Sequence, residues 1–300
     1  MGNSHQKIIV SGVGLLSSFH LMHYSGDAGF EVGAQVKIDG RTQEFADFSD
    51  GVQLAPHLRL RFSSKEDTKL LSNYPNEPLS PIQYCLDRYV IECSFEIQDK
   101  TKKSEATDKI HECIFDTVTG LRLLKRGYID SNTILWVEEK ESGKHASLEW
   151  QRTIPSTFAV PYYLRTDEIL KLTRLIGKIS KFDFERRKSF KIALGRFENS
   201  YYDTEEEDKL IDYMISFEAL FTEGEGRSQR DVIPVACSML LGKKQKEREK
   251  IQDTLDYAYN IRNAIVHGAD FKQKLRKEQN FSEFVVEVEE LLRRSIKQLL

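Results

Sequence analysis

The sequence of 300 residues is 40% hydrophobic and 30% charged, which is the composition of a folded globular protein and excludes a disordered or fibrous chain. Its formal net charge of -3 excludes a general electrostatic attraction to nucleic acid, so that any such affinity has to come from a local basic site. The length predicts one or two domains, and a change of pattern near Pro161 favours two.

The first half of the chain is dominated by short runs that are typical of strands. These runs are rich in apolar, β-branched and aromatic residues, and glycine, proline and Asn/Asp clusters separate them. They cover residues 8–10, 32–38, 58–62, 90–97, 134–138 and 147–154. One helix is predicted over residues 105–125, where Ile110, Ile114 and Val118 recur at helical spacing. We therefore expect residues 1–160 to form a mixed, strand-rich domain.

The apolar run at residues 8–19 has to be distinguished from a targeting or membrane segment. Gly12 and Gly14 interrupt the run, and it is shorter than the roughly 20 apolar residues that span a bilayer. A buried strand with a turn is expected there, and no membrane association.

The four cysteines indicate the redox environment of the protein. They are Cys85, Cys93, Cys113 and Cys237, and no two of them form the C-x-x-C pair of a zinc ribbon or thioredoxin motif. In a chain of this length they are interpreted as reduced thiols, which predicts a cytoplasmic location.

After Pro161 the pattern becomes helical, and Pro234 is the one proline that remains. Amphipathic helices are predicted after Asp167 and over residues 184–202, 203–221, 231–241, 244–266 and 281–299. Because short loops join them, they predict an antiparallel bundle. The boundary is placed in residues 153–166. The predicted fold class is thus α+β, with the strand-rich domain at residues 1–160 followed by an all-α up-and-down bundle at residues 166–300.

The end of the long helix carries the residues best suited to chemistry, in the sequence Arg262-Asn263-Ala-Ile-Val-His267-Gly268. An imidazole, with an unperturbed pKa of about 6.5, accepts or donates a proton near neutrality. A guanidinium stays charged and binds two phosphate oxygens at once. Asn263 and His267 share a helix face, whereas Arg262 and His267 are about 140° apart on an ideal helix. The two side chains therefore make an incomplete site within one chain. Glu218, which lies in an apolar stretch, is the candidate to hold Arg262.

The R-N-x-x-x-H motif followed by glycine resembles the signature of the HEPN family of RNA-acting proteins. Residues 196–221 and 234–242 are similar to the helices that precede the motif in Apea-like HEPN proteins, so that the resemblance covers residues 196–300 and, less closely, residues 166–195. It implies a helical bundle and a metal-independent endoribonuclease that needs no cofactor, with Arg262, Asn263 and His267 as its catalytic residues.

The resemblance also implies a mechanism and an assembly. The 2′-hydroxyl of RNA would attack the adjacent phosphate, leaving a 2′,3′-cyclic phosphate and a 5′-hydroxyl. A homodimer through the helical domain would bring two motifs into one cleft. Such proteins often serve as toxins or antiviral defence effectors, and the N-terminal domain would then respond to a regulatory partner or ligand.

Structural interpretations of the same residues remain open. A glycine after a histidine also ends helices, because glycine accepts the left-handed position that follows the last turn. Arg262 would then form a salt bridge with Glu218 or Asp256, and Asn263 would cap or bridge a neighbouring helix. Two alternative functions follow: a non-catalytic HEPN module that dimerises or binds RNA and relays a signal from the N-terminal domain, or a small-ligand sensor that works through the N-terminal domain.

Overall fold

The computed structural model describes residues 8–17, 35–38, 41–44, 51–71, 89–98, 100–140, 143–150, 162, 164–222, 229–277 and 279–300. The chain divides into two compact units, Met1–Ser180 and Lys181–Leu300. The first contains an antiparallel sheet and the second is helical, which confirms the predicted α+β class. Among the described residues, no helix combines the length and apolar character needed to cross a membrane.

A six-stranded antiparallel sheet forms the centre of the first unit, with strand order β4-β5-β6-β1-β7-β8. Its strands are β1 (Ile8–Ser17), β4 (Val52–Ala55), β5 (Leu58–Phe62), β6 (Tyr89–Ile97), β7 (Asp130–Lys140) and β8 (Gly143–Trp150). A separate hairpin consists of β2 (Gln35–Ile38) and β3 (Arg41–Glu44). The sheet thus joins strands that are distant in sequence, since β1 pairs with both β6 and β7.

Helices α2 (Lys103–Leu124) and α3 (Ile169–Ile179) cover one face of this sheet, whereas α1 (Lys65–Leu71) packs on the other face through Leu70. Two 3-10 turns lie at Lys100–Lys102 and Thr166–Glu168. The apolar stripe of α2, including Ile110, Ile114 and Leu121, is buried with residues of β1, β5, β6 and β7 in one core. A smaller cluster around Val13 and Leu135 lies on the opposite face.

Strand β1 differs from its prediction, because no turn interrupts the described residues of the apolar run. Gly12 lies inside the strand, where a Cβ atom would come within 2.3 Å of Ile110 Cγ2. The glycine is therefore required by the close approach of α2. The prediction also omitted β3, β4 and α1, which are short and lack a clear periodic pattern, while residues 32–34 and 151–154 lie outside the described residues.

Gly12→Ala is expected to lower the free energy of unfolding of the first unit by about 1–3 kcal/mol, because the added methyl group overpacks a filled core. Gly177→Ala is the matched control. It lies in α3 with no heavy atom within 4 Å of the added Cβ, and should stabilise by about 0.5–1 kcal/mol through helix propensity. Urea unfolding monitored by circular dichroism measures both. Equal effects of the two substitutions would contradict the packing argument.

A partly buried carboxyl group on α2 makes the stability of the first unit depend on pH. Burial, aided by the nearby carboxylate of Glu112, raises the pKa of Asp116 from 3.8 to about 7. Because the folded-state pKa lies above the unfolded one, this group favours folding below about pH 4 and opposes it increasingly as pH rises through about 7.

We therefore expect Asp116→Asn to raise the free energy of unfolding at pH 8 by about 2 kcal/mol, roughly half of what three pKa units correspond to, since the carboxyl is only partly buried. At pH 4 the substitution should have little effect. Urea titrations at both pH values measure the difference, with the exposed Asp108→Asn on the same helix as control. A pH-independent effect of Asp116→Asn would argue against a raised pKa.

Five helices form the second unit, in the order α4 (Lys188–Asn199), α5 (Glu206–Phe221), α6 (Gln229–Leu241), α7 (Gln245–Val266) and α8 (Phe281–Leu299), together with a 3-10 turn at Phe271–Lys274. This count covers the described residues, which omit 223–228. The hairpin pairs α4/α5 and α6/α7 pack together, and α8 packs against α5, α6 and α7. The core includes Phe197, Phe217, Leu255, Ile261 and Leu292.

The division between the units falls later than residues 153–166, where the sequence pattern puts it. Helix α3 belongs to the first unit because its buried side chains Leu172 and Ile176 join the core of the sheet. Gly120 of α2 allows this contact, since a Cβ atom there would lie 2.9 Å from Ile176. The helical unit thus begins at Lys181.

Candidate functional site at the end of the long helix

Helix α7 ends in a Schellman motif that accounts for the glycine after His267. Gly268 has φ of +68°, and its N–H donates to the carbonyl of Ile265 at 3.0 Å. The N–H of Ala269 donates to the carbonyl of Ala264 at 2.8 Å, which completes the motif. Helix termination alone therefore explains why residue 268 is a glycine.

The same turn presents the motif on the surface of the helical unit. Ile261 and Ala264 face the core, whereas Arg262 and Asn263 are half-buried and His267 is exposed. The N–H of His267 donates to the carbonyl of Asn263 at 3.1 Å, so the two residues occupy successive turns of one helix face. Backbone geometry therefore brings all three motif residues to one end of α7.

Glu218, near the end of α5, is the residue that approaches Arg262. Its Oε1 lies 3.7 Å from Arg262 Nη2, and the two side chains are only 16% and 21% exposed. That distance is an ion-pair contact and too long for a hydrogen bond. Arg262 Nη1 donates to Oδ1 of Asn263 at 3.2 Å. Of the two carboxylates considered from the sequence, Glu218 and not Asp256 is the neighbour.

Part of this polar group lacks hydrogen-bond partners. Arg262 Nε and Glu218 Oε1 are both buried and have no partner among the described residues. Because buried polar atoms are normally paired, such atoms mark places where a ligand or water completes the bonding. The guanidinium is thus held in place by Glu218 and Asn263 and still has donor capacity.

The imidazole of His267 is not engaged by the fold. It makes no hydrogen bond or ion pair with any residue that the structure describes, and it is exposed. The side-chain oxygen of Asn263 accepts its hydrogen bond from Arg262. The imidazole of His267 is therefore accessible to a bound molecule.

The segment after the motif contributes local positive charge that motif analysis did not include. Lys272 and Lys274 are exposed in the 3-10 turn that follows Gly268. Arg276 is already occupied: its guanidinium makes two bonds to Asp253 at 2.7 and 2.8 Å and covers the ring of Tyr257. The hydrogen bonds that Arg276 donates to Asp253 raise the pKa of Arg276, despite the opposing effect of burial. Lys272 and Lys274 are thus exposed cations that follow the motif closely in the sequence.

Comparison with known proteins gives no match to a family model, to a curated protein or to a solved structure. The assignment to the HEPN family accordingly stays a prediction from the motif and its flanking helices. Within the described ranges, no three His, Cys, Asp or Glu side chains come together in a way that could hold a metal ion.

Proposed function

We propose that the helical unit is a metal-independent endoribonuclease that uses Arg262, Asn263 and His267. This proposal rests on two side chains at the same end of α7. The guanidinium of Arg262 is held by Glu218 and Asn263 and keeps an unpaired Nε donor, and the imidazole of His267 makes no hydrogen bond with a described residue. A fixed guanidinium suits a phosphate, because it binds two oxygens and keeps its charge. An exposed imidazole suits proton transfer near neutral pH.

The reaction needs no other nucleophile than the substrate itself. The 2′-oxygen attacks phosphorus, its proton passes to an imidazole, and the bond from phosphorus to the 5′-oxygen breaks. The leaving oxygen takes up a proton to become a 5′-hydroxyl, and the other fragment keeps a 2′,3′-cyclic phosphate. Arg262 would stabilise the negative charge that develops on the phosphoryl oxygens.

Two copies of the motif would serve this reaction better than one. Base and acid act on opposite sides of the phosphate, and a single exposed His267 cannot occupy both places in one step. We therefore propose a homodimer through the helical unit, with the two α7 ends forming one cleft around a two-fold axis. In this proposal the protein is cytoplasmic, acts as a toxin or antiviral defence effector, and is regulated by a ligand or partner at the first unit.

The test is incubation of the full-length protein with end-labelled single-stranded RNA, in buffer with and without EDTA. Cleavage should persist in EDTA, should leave cyclic phosphate and 5′-hydroxyl ends, and should fail on DNA and on 2′-O-methyl RNA. Cleavage of 2′-O-methyl RNA, or its abolition by EDTA, would contradict attack by the 2′-hydroxyl.

The second candidate is a non-catalytic module that dimerises or binds RNA. It is favoured by the ion pair between Arg262 and Glu218 and by the Schellman motif at Gly268, because both give these residues a structural role. Retention of RNA in a filter-binding assay without any cleavage would support this candidate over the nuclease.

A further inference from the structure

Two cysteine side chains face each other across the core of the first unit. Cys93 lies on β6 directly opposite Gly12 of β1. That glycine is a point of close approach between α2 and the sheet, since Ile110 occupies the space of its absent Cβ. Cys113 follows Ile110 by three residues on the same side of α2, and it packs against the cluster that contains Cys93. The register of the sheet and the position of α2 therefore bring these two residues together.

Both thiols are reduced, and the pKa of each is shifted by a hydrogen bond with the other. A disulfide requires neighbouring Cβ atoms, which a helix packed on a strand can bring together. Cys93 is fully buried, whereas Cys113 is partly exposed. A small oxidant therefore reaches Cys113 first.

We propose that Cys93 and Cys113 are a redox pair that a hydroperoxide converts to a disulfide. The thiolate of Cys113 attacks one hydroperoxide oxygen, the O–O bond breaks, and Cys113 becomes a sulfenic acid while water or an alcohol leaves. The thiol of Cys93 then attacks the sulfenic sulfur, the S–S bond forms, and the hydroxyl leaves with the thiol proton as water. Two sulfurs lose two electrons in total, and the hydroperoxide gains them.

The electrostatics of the pair assign the two roles. The hydrogen bond from Cys93 lowers the pKa of Cys113, against the opposing effects of burial and of the carboxylates of Asp116 and Glu112. The same contact, together with burial, raises the pKa of Cys93. Cys113 is thus the group that ionises and attacks, and Cys93 is the resolving thiol. The disulfide would join α2 to β6 and fix the helix on the sheet.

Cys237 provides an internal control because it is a buried thiol of a different kind. It lies in the second unit, where burial raises its pKa to about 11, and its neighbour is the hydroxyl of Ser295 at 3.4 Å. Because the pKa of Cys113 is lowered and that of Cys237 is raised, Cys113 has the larger thiolate fraction near neutral pH. Cys113, which is also partly exposed, should therefore react faster than Cys237.

The experiment treats the native full-length protein with hydrogen peroxide, blocks remaining thiols, and maps the peptides by mass spectrometry. The expected product is one disulfide between the peptides of Cys93 and Cys113, with loss of two hydrogen atoms and reversal by dithiothreitol. Over-oxidation of Cys113 to a sulfinic or sulfonic acid without the disulfide would overturn the proposal. Reaction of Cys237 as fast as Cys113, or a disulfide to Cys85 instead, would also overturn it.

Serine variants separate the two roles. In Cys93→Ser the sulfenic acid of Cys113 should persist and be trapped by dimedone, whereas Cys113→Ser should consume no peroxide at this site. Cys237→Ser should form the disulfide as the unsubstituted protein does. Dimedone trapping at Cys93 in Cys113→Ser would reverse the assignment. Because peptide mapping of the unsubstituted protein does not depend on any variant, the disulfide itself is tested even where a substitution prevents folding.

Discussion

His267→Ala should lower the rate of RNA cleavage by about 10²–10⁴-fold, because it removes the group proposed to transfer the proton in the transition state. The substitution should leave the free energy of unfolding within about 0.5 kcal/mol, since the imidazole is exposed and bonded to no described residue. Single-turnover cleavage and urea unfolding measure the two quantities separately. His145→Ala, which removes an exposed histidine on β8, is the matched control and should keep full activity.

Arg262→Ala is expected to cost about 10²–10³-fold in kcat through the loss of charge stabilisation on the phosphate. Arg262→Lys should recover little, since a point charge does not reproduce two parallel hydrogen bonds. A structural effect has to be separated from a catalytic one, because Arg262→Ala removes the ion-pair partner of the partly buried Glu218. The double variant Arg262→Ala/Glu218→Gln removes that stranded charge. If it regains both stability and cleavage, Arg262 is structural and does not stabilise charge on the phosphate. Cleavage by His267→Ala at the unsubstituted rate would likewise remove His267 from the proposed catalytic residues.

The helical unit is predicted well from the sequence, because its signals are local. The apolar stripes of α5, α7 and α8 run for several turns, and the ends of the helices carry their own signals. Gly268 ends α7, and the side chain of Asn280 accepts hydrogen bonds from the N–H groups of Ser282 and Glu283 at the start of α8. These features act within a few residues of each other, so a single sequence contains them.

The sheet and the boundary depend on contacts that the sequence does not display. Strand β3 has the sequence Arg-Thr-Gln-Glu and no apolar pattern, and Gly12 of β1 is explained only by the position of α2. Helix α3 has an apolar face that fits either unit by pattern. Its place in the first unit depends on the packing of Ile176 into the space beside Gly120, which is a tertiary contact.

For the candidate site, sequence reasoning named the residues and left their partners open. The sequence leaves both Glu218 and Asp256 open as salt-bridge partners of Arg262. The structure puts Glu218 beside the guanidinium, while burial raises the pKa of Asp256 and the nearby Arg230 partly offsets this. The unpaired Nε of Arg262 could not be foreseen, because hydrogen-bond satisfaction depends on the packing of α5 against α7.

Two adjacent arginines on α8, Arg293 and Arg294, differ in how they are packed. Arg293 is 0% exposed, and its guanidinium contacts Glu289, Glu290 at 2.5 Å and the hydroxyl of Tyr201 at 3.4 Å. Arg294 is 38% exposed and approaches Glu247 at 3.5 Å. The sequence offers no distinction between them, but the costs of removing them should differ greatly.

Arg293→Ala is expected to lower the free energy of unfolding of the helical unit by about 3–5 kcal/mol, because it strands the buried carboxylate of Glu289 and empties a filled space. Arg294→Ala should cost no more than about 1 kcal/mol, as is usual for exposed ion pairs. Guanidinium chloride unfolding followed by circular dichroism compares the two. Arg293→Met/Glu289→Leu should recover much of the loss, since replacing both charges with apolar side chains avoids an unpaired buried ion. If the double variant is no more stable than Arg293→Ala, packing rather than the stranded charge dominates. Equal costs for Arg293→Ala and Arg294→Ala would mean that Arg293 is not enclosed by α8 and its neighbours in solution.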